Sequence, residues 1–542
     1  MPLKLEKLQK FQGRKGPLLF IIMDGVGIGK EDESNAVYLA RTPNLDKLLT
    51  SKLKTQLKAH GPAVGLPSED DMGNSEVGHN ALGGGRVFAQ GAKLVNQSIQ
   101  SGNIYQTENW NKVIEHGKNN GTIHFMGLLS DGNVHSHINH LFALINKCAD
   151  NGVKRVRLHV LLDGRDVNEK SALEYIKPTE ELLAKISSEK GFDYKIASGG
   201  GRMITTMDRY NADWTIVKRG WDAHVLGVAR HFKSAAEAVQ TYYNEDPKMT
   251  DQYLNSFVVV DNNEKPVGTI EDNDAVIFFN FRGDRAIEIS RAFDEEVFAE
   301  FNRVRIPKLF YAGMMEYDGD LHIPKNYLVQ PPEIDRTIGE YLCDMGVTSF
   351  AISETQKFGH VTYFWNGNRS GYINKDLETY VEIPSDKIQF DLAPKMKAFE
   401  ITEKVLEMYK SGKYRWGRIN FPNGDMVGHT GIMEAAITAV ETVDECIGKL
   451  LKAVDEMNGI AIITADHGNA DEMFTVKKGK KEVKTSHTLN PVPFIIYDPQ
   501  YNGEYTMADI EHPGLTNAAG TILNLLGFKN VEDYDKSLID IT

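Results

Sequence analysis

The chain has 542 residues, 41% of them hydrophobic and 25% charged, and a formal net charge of -14 at neutral pH. So long a chain exceeds one ordinary core, so two domains are expected, and the acidic balance argues against non-specific nucleic-acid binding. No apolar run is long enough to span a membrane, residues 1–16 lack the apolar core of a secretory signal, Asp540-Ile541-Thr542 is no peroxisomal address, and three widely spaced cysteines (Cys148, Cys343, Cys446) point to a reducing cytoplasm.

The first apolar run, residues 18–23, reads as a strand and ends on Asp24. Asp71-Met72-Gly73-Asn74-Ser75-Glu76-Val77-Gly78-His79 follows, a glycine-punctuated turn leading towards a helix and suited to presenting the Ser75 hydroxyl as a nucleophile. Further strand-sized runs lie at 156–162, 275–281, 418–421, 460–464 and 494–497, alternating with helix-like segments such as the amphipathic 434–457. That alternation predicts a mostly parallel sheet wrapped by helices, whose ligands bind beyond the carboxyl ends of the strands. Polar residues stand there: Asp425 and His429 after 418–421, Asp466-His467 after 460–464, with His487 preceding the last strand. A lone aspartate after a strand is more often a helix cap, but three carboxylates and three imidazoles in one pattern are donors for two divalent cations.

The candidate ligands fall early and late in the chain, so the middle reads as an insert. Residues 1–89 and 333–542 are expected to form one discontinuous domain and 93–328 the other, joined by linkers at 90–92 and 329–332. The insert carries groups suited to an oxyanion: His135 within Ser130-Asp131-Gly132 to His140, Arg165 and Asp166 after Leu162-Asp163-Gly164, Arg202 after three glycines, Arg209, and Arg282 with Arg285. Guanidinium forks grip carboxylate and phosphate at two points. At least two of His135, His137 and His140 read as helix-start residues, and His79 as support for the serine loop.

Together these motifs resemble the cofactor-independent phosphoglycerate mutases of the alkaline-phosphatase superfamily, over nearly the whole chain. The resemblance implies an α/β protein: an alkaline-phosphatase-like metal domain, its mostly parallel sheet covered by helices on both faces, with an inserted second α/β domain for substrate. It implies that 3-phosphoglycerate and 2-phosphoglycerate are interconverted through a phosphoserine on Ser75. One divalent cation is expected on Asp425, His429 and His487, the other on Asp24, Ser75, Asp466 and His467, with Mn2+ foremost and Mg2+ or Co2+ as alternatives. His135, Arg165, Asp166, Arg202, Arg209, Arg282 and Arg285 are expected to hold the glycerate, Asp166 as acid/base, and Lys357 to reach the phosphoryl group. Arg202 and Arg209 stand one residue further apart than in many bacterial members. A cytoplasmic monomer follows, needing no 2,3-bisphosphoglycerate and no nucleic-acid or membrane partner, whose two domains close on substrate. The residues by themselves leave open a metal-dependent phosphomonoesterase, another phosphomutase, or a non-catalytic metal-binding scaffold.

Overall fold

The computed structural model describes residues 3–66, 68–208, 213–318, 321–330, 332, 334–477 and 480–542. The chain divides into two compact units, Met1–Ala89 with Pro332–Thr542, and Gln90–Pro331.

The first unit is built on a seven-stranded sheet among the described residues, in the order Glu378–Ile383, Ser349–Glu354, Trp416–Phe421, Leu18–Met23, Ile460–Thr464, Val492–Tyr497 and Lys54–Leu57. The first five strands run parallel and the last two pair antiparallel. Leu18–Met23 is buried at every position, the continuous apolar run of a strand covered on both faces. Its register aligns Met23 with Phe421 and Ile22 with Thr464, so the chain leaves three adjacent strands on one level at Asp24, at the segment leading to Asp425, and at Asp466. Trp416–Phe421 and Val492–Tyr497 begin two residues earlier than the apolar runs suggest, because the sheet admits Trp416, Gly417, Val492 and Pro493 once neighbours pair with them.

Helix Met433–Met457 packs its alanine, valine and leucine stripe on the core and ends at Asn458, whose φ of 53° is the left-handed cap an asparagine tolerates. Its buried Asp444 accepts the Leu45 N–H at 2.7 Å, capping helix Pro43–Leu48 from a distant part of the chain.

The second unit holds another sheet of seven described strands, ordered Arg230–Phe232, Phe257–Val259, Asp193–Gly201, Arg155–Leu162, Ile123–Leu128, Ala275–Phe278 and Phe310–Gly313. All neighbours are parallel except Phe257–Val259 against Asp193–Gly201. Ala275 and Ile277 join one core, Val276 and Phe278 the other, the two-residue alternation of a sheet covered on both faces. The expected strand at 275–281 ends at Phe278, because the Asn280 side chain turns back to accept the Leu128 N–H at 2.9 Å. Asp193–Gly201 runs through three glycines: a Cβ at Gly199 would lie 2.4 Å from the Val160 carbonyl oxygen, so close backbone packing requires glycine there.

Candidate active site

Ser75 opens helix Ser75–Gly84, capped by Asn74, whose side chain accepts the Val77 N–H at 3.0 Å. The helix lies against the Asp466 loop so closely that a Cβ at Gly78 would sit 2.9 Å from the Asp466 backbone oxygen. Gly25 turns the chain after Asp24 with φ 74°, and a Cβ there would strike the Asp425 amide at 2.5 Å. These approaches converge Ser75, Asp24, Asp425, Asp466, His467 and Lys357, all buried.

Ser75 Oγ lies 3.2 Å from Asp24 Oδ1, 2.9 Å from His467 Nε2 and 2.5 Å from Lys357 Nζ. Among the described residues two groups of side chains are close enough to hold a cation, Asp24 with Asp466 and His467, and Asp425 with His467 and His487. His429 adjoins the second, its Nε2 3.2 Å from Asp425 Oδ1 and 3.1 Å from His487 Nε2. Lys357 Nζ is 2.9 Å from Asp425 Oδ2.

Each of the three histidines turns Nε2 inward while Nδ1 meets a backbone carbonyl: His429 to Thr485 (2.6 Å), His487 to Gly73 (2.8 Å) and His467 to Gly468 (3.2 Å). Imidazoles that ligate metals are oriented in this way. Asp466 Oδ1 is buried with no hydrogen-bond partner among the described residues, a cost that a bound cation removes. Burial opposes charge on these groups, yet the carboxylates outweigh it: Asp425 raises His429 to about 9, and Asp466, with Asp24 and Asp425, raises His467 to about 10. Asp425 is held far below the usual carboxylate range against its burial, chiefly by Lys357 and His429. His487 is lowered by burial and by His467. The donor set and its negative field fit divalent cations.

Besides His79, several supporting residues give no signal in the sequence. Asn420, on strand Trp416–Phe421, donates to Asp24 Oδ2 at 2.7 Å and to His79 Nε2 at 3.2 Å, while His79 Nδ1 meets the Ser75 carbonyl at 2.8 Å. Asn469 donates to Asp425 Oδ1 at 3.2 Å. Buried Asp471 accepts the Gly27 N–H at 3.2 Å, the Thr488 hydroxyl at 2.9 Å and the Asn490 amide at 2.7 Å, tying the loops of Asp24, His467 and His487 together. The short Asp-His-Gly-Asn tract places Asp471 near the ligands, but nothing in the sequence says which way its carboxylate turns. Beside the site an open cleft of about 930 Å³ is lined by Thr355, Gln356, Asp386, Phe390, Thr430 and Ile432 among others.

In the second unit, buried Arg202 donates to Asp163 Oδ1 at 2.8 Å and pairs with Asp166. Arg285 donates to the Met207 carbonyl at 2.6 Å. Asp284 lies 3.3 Å from both His135 Nδ1 and Arg282 Nε, and burial is outweighed by His135 and the arginines, which hold its carboxyl far below the usual range. Arg165 is exposed, its backbone N–H meeting Asp163 Oδ1 at 3.2 Å, and Arg209 lies outside the described residues. His137 caps helix Ile138–Asp150, accepting the Asn139 N–H at 3.1 Å.

The parallel sheet with acidic and imidazole groups at its strand ends defines a metalloenzyme, and residues 16–530 match the family model of the metalloenzyme superfamily. The chain is 52% identical to a probable 2,3-bisphosphoglycerate-independent phosphoglycerate mutase of Leptospira interrogans, covering 99% of both. It is also 52% identical to the 2,3-bisphosphoglycerate-independent phosphoglycerate mutase of Trypanosoma brucei brucei, covering 97% of both. A crystal structure of Leishmania mexicana phosphoglycerate mutase at low cobalt concentration superposes with a TM-score of 0.64 at 53% identity, over 99% of this chain and 100% of that one. The chain belongs to the family of 2,3-bisphosphoglycerate-independent phosphoglycerate mutases.

Proposed function

We propose that the chain interconverts 3-phosphoglycerate and 2-phosphoglycerate, with Ser75 carrying the phosphoryl group between the two positions. The observation that carries this reading is the placing of the Ser75 hydroxyl between a cationic donor, Lys357 at 2.5 Å, and an anionic acceptor, Asp24 at 3.2 Å. Lys357 stabilises negative charge on the serine oxygen as its proton leaves, and then on the phosphoryl oxygens. Ser75 Oγ attacks phosphorus as the bond to the C3 oxygen breaks, and the proton lost by the serine hydroxyl is balanced by the one that the C3 oxygen takes up. The glycerate turns while held by Arg165, Arg202, Arg209, Arg282, Arg285 and His135. Its C2 hydroxyl attacks the phosphoserine, Asp166 accepts the hydroxyl proton, the bond from phosphorus to Ser75 Oγ breaks, and that oxygen takes up a proton, so that Ser75 is restored. The ion pair between Arg202 and Asp166 holds that carboxylate beside the substrate arginines.

Two divalent cations would be held by Asp425, His429 and His487 and by Asp24, Ser75, Asp466 and His467, and when bound they supply positive charge to the attacking oxygen and the phosphoryl group. Mn2+ suits this mixed oxygen and nitrogen set, as do Mg2+ and Co2+, and the reading needs no 2,3-bisphosphoglycerate. We place the enzyme in the cytoplasm and read it as a monomer; among the described residues no helix is long and apolar enough to cross a membrane. We assign the metal site to 1–89 with 333–542 and substrate orientation to 93–328, joined by linkers at 90–92 and 329–332.

Phosphorus NMR of 3-phosphoglycerate with the protein and Mn2+-free, then Mg2+-supplemented buffer tests the reading, since Mg2+ does not broaden the signals. Growth of the 2-phosphoglycerate signal is expected, and none with Ser75→Ala. Accumulation of inorganic phosphate instead would identify a phosphomonoesterase built on the same groups.

A further inference from the structure

Three histidines that take no part in this reaction, His124, His159 and His224, lie fully buried in the second unit. They form a continuous hydrogen-bonded chain. His124 Nε2 is 3.0 Å from Asp274 Oδ2 and its Nδ1 is 2.9 Å from His159 Nε2. His159 Nδ1 is 2.6 Å from Ser198 Oγ, which lies 2.7 Å from His224 Nδ1, and His224 Nε2 is 2.9 Å from Thr206 Oγ1. The chain crosses strands Ile123–Leu128, Arg155–Leu162 and Asp193–Gly201 and passes through helix Trp214–His224.

One assignment of hydrogens satisfies every link. An ionised Asp274 only accepts, so His124 donates from Nε2. His124 Nδ1 then accepts from His159 Nε2, His159 Nδ1 accepts the Ser198 hydroxyl proton, Ser198 Oγ accepts from His224 Nδ1, and His224 Nε2 accepts from the Thr206 hydroxyl. All three rings are neutral in this arrangement. Burial favours that form, lowering His124 and His159 and bringing His224 down to about 3. Asp274 is held below its usual range despite burial, by His124 and by the Thr122 and Glu271 N–H groups.

The chain ends on an unusual residue. Thr206 has φ 70°, a left-handed conformation that a β-branched side chain adopts only when its surroundings impose it. Its N–H donates to the Ile216 carbonyl at 2.9 Å, and Gly220 leaves room for its hydroxyl, since a Cβ there would lie 2.0 Å from Thr206 Oγ1. Thr206 sits in the segment that begins with Arg202 and includes Met207, whose carbonyl holds Arg285 at 2.6 Å. Two guanidiniums of the substrate cluster therefore depend on the path of residues 202–208.

We propose that Thr206 and the histidine chain behind it are positioning residues, fixing segment 202–208 so that Arg202 and Arg285 meet the anionic substrate. This rests on the reading that those arginines hold phosphoglycerate. The segment has no regular secondary structure to define it after Gly201. A polar anchor rooted in the sheet, with a single satisfied hydrogen pattern, supplies the definition instead.

Thr206→Val keeps the branched shape and deletes the hydroxyl, Thr206→Ser keeps the hydroxyl, and Ser198→Ala cuts the chain at its middle. Calorimetric titration of 3-phosphoglycerate into each metal-loaded protein should show binding weakened about tenfold by Thr206→Val, equivalent to about 1.4 kcal/mol. Ser198→Ala should act in the same direction and Thr206→Ser should stay near wild type. KM should rise with kcat changed less than about twofold, and Mn2+ affinity should be unaltered, which a general loss of structure would not produce. Binding undiminished in both Thr206→Val and Ser198→Ala overturns the proposal, as does weakening accompanied by an equal loss of Mn2+ affinity and a lower melting temperature. A wild-type protein that binds phosphoglycerate without turning it over sinks the mutase reading alone, and the binding comparison still decides this one. Failure of the wild type to bind at all sinks both.

Discussion

Lys357 and Ser75 are 282 positions apart in the chain, yet the lysine ammonium donates to the serine hydroxyl oxygen at 2.5 Å in a fully buried setting. Asp425 and Asp24 lie 2.9 and 3.7 Å from the same ammonium, so the charge is matched by carboxylates rather than by water. Such an ammonium needs no reorganisation when negative charge develops on the serine oxygen or the phosphoryl group.

Replacing it with an uncharged chain of similar length therefore removes a preorganised donor. Lys357→Met is expected to lower kcat by about a hundredfold to a thousandfold. The metal-loaded fold should be kept, and a steady-state assay with circular dichroism as control measures both. A variant with wild-type kcat would show that Lys357 only balances buried carboxylates.

Asp471 offers a test one step removed from the cations. Its two carboxylate oxygens accept from Gly27 on one side and from Thr488 and Asn490 on the other. An asparagine has one acceptor oxygen and cannot serve both sides. Asp471→Asn is expected to weaken Mn2+ binding by about 10–100-fold, the range for residues that orient metal ligands. Fluorescence or calorimetric metal titration reads this directly, and an unchanged isotherm would remove Asp471 from the site's support.

The strand-end positions of Asp24 and Asp466 are legible in the sequence because a doubly covered parallel strand is an unbroken apolar run, and the first ionisable residue after it marks the sheet's carboxyl edge. The register that sets Ile22 beside Thr464 is not legible, since it depends on pairing between segments far apart in the chain. The same limit hides His124 and His159. His124 is a lone polar residue in an apolar strand and His159 follows two arginines in its own, and only the pairing of Met126 with His159 and of His159 with Ser198 reveals a chain. Gly199-Gly200-Gly201 has no strand-like composition, yet in the sheet these residues form a strand that lets Phe257 and the Val160 carbonyl approach.

Ser75→Ala deletes the nucleophile with the loss of one oxygen atom from a helix N-terminus already capped by Asn74. Phosphoryl transfer should become undetectable while the melting temperature of the metal-free protein shifts little, because the cap is untouched. Calorimetry should still detect 3-phosphoglycerate binding. Residual turnover above about one part in a thousand of wild type would place the transferred group elsewhere, since losing a nucleophile that acts with its partners costs more than this.

The last prediction concerns protons released when cations bind. In the metal-free protein the carboxylates raise His429 to about 9 and His467 to about 10, so both rings hold protons at pH 7. A cation binds the neutral ring only, and must displace them. Loading at pH 7 should release about two protons, and apparent affinity should climb with pH, levelling off beyond the two raised values. The sign for stability is opposite. A group whose folded value is raised contributes stability that is complete below its unfolded value of about 6.5 and lost as pH climbs through the folded one. The metal-free protein should therefore melt at progressively lower temperature between about pH 6.5 and 10, with the buried His467 contributing more than His429, whose side chain is 38% exposed and screened by water. The loaded protein should escape this particular loss, its rings being neutral throughout. Calorimetric titrations of Mn2+ in buffers of differing ionisation enthalpy count the protons, and heats independent of buffer at pH 7 would mean that the rings are already neutral and that the carboxylates do not dominate the field of the site.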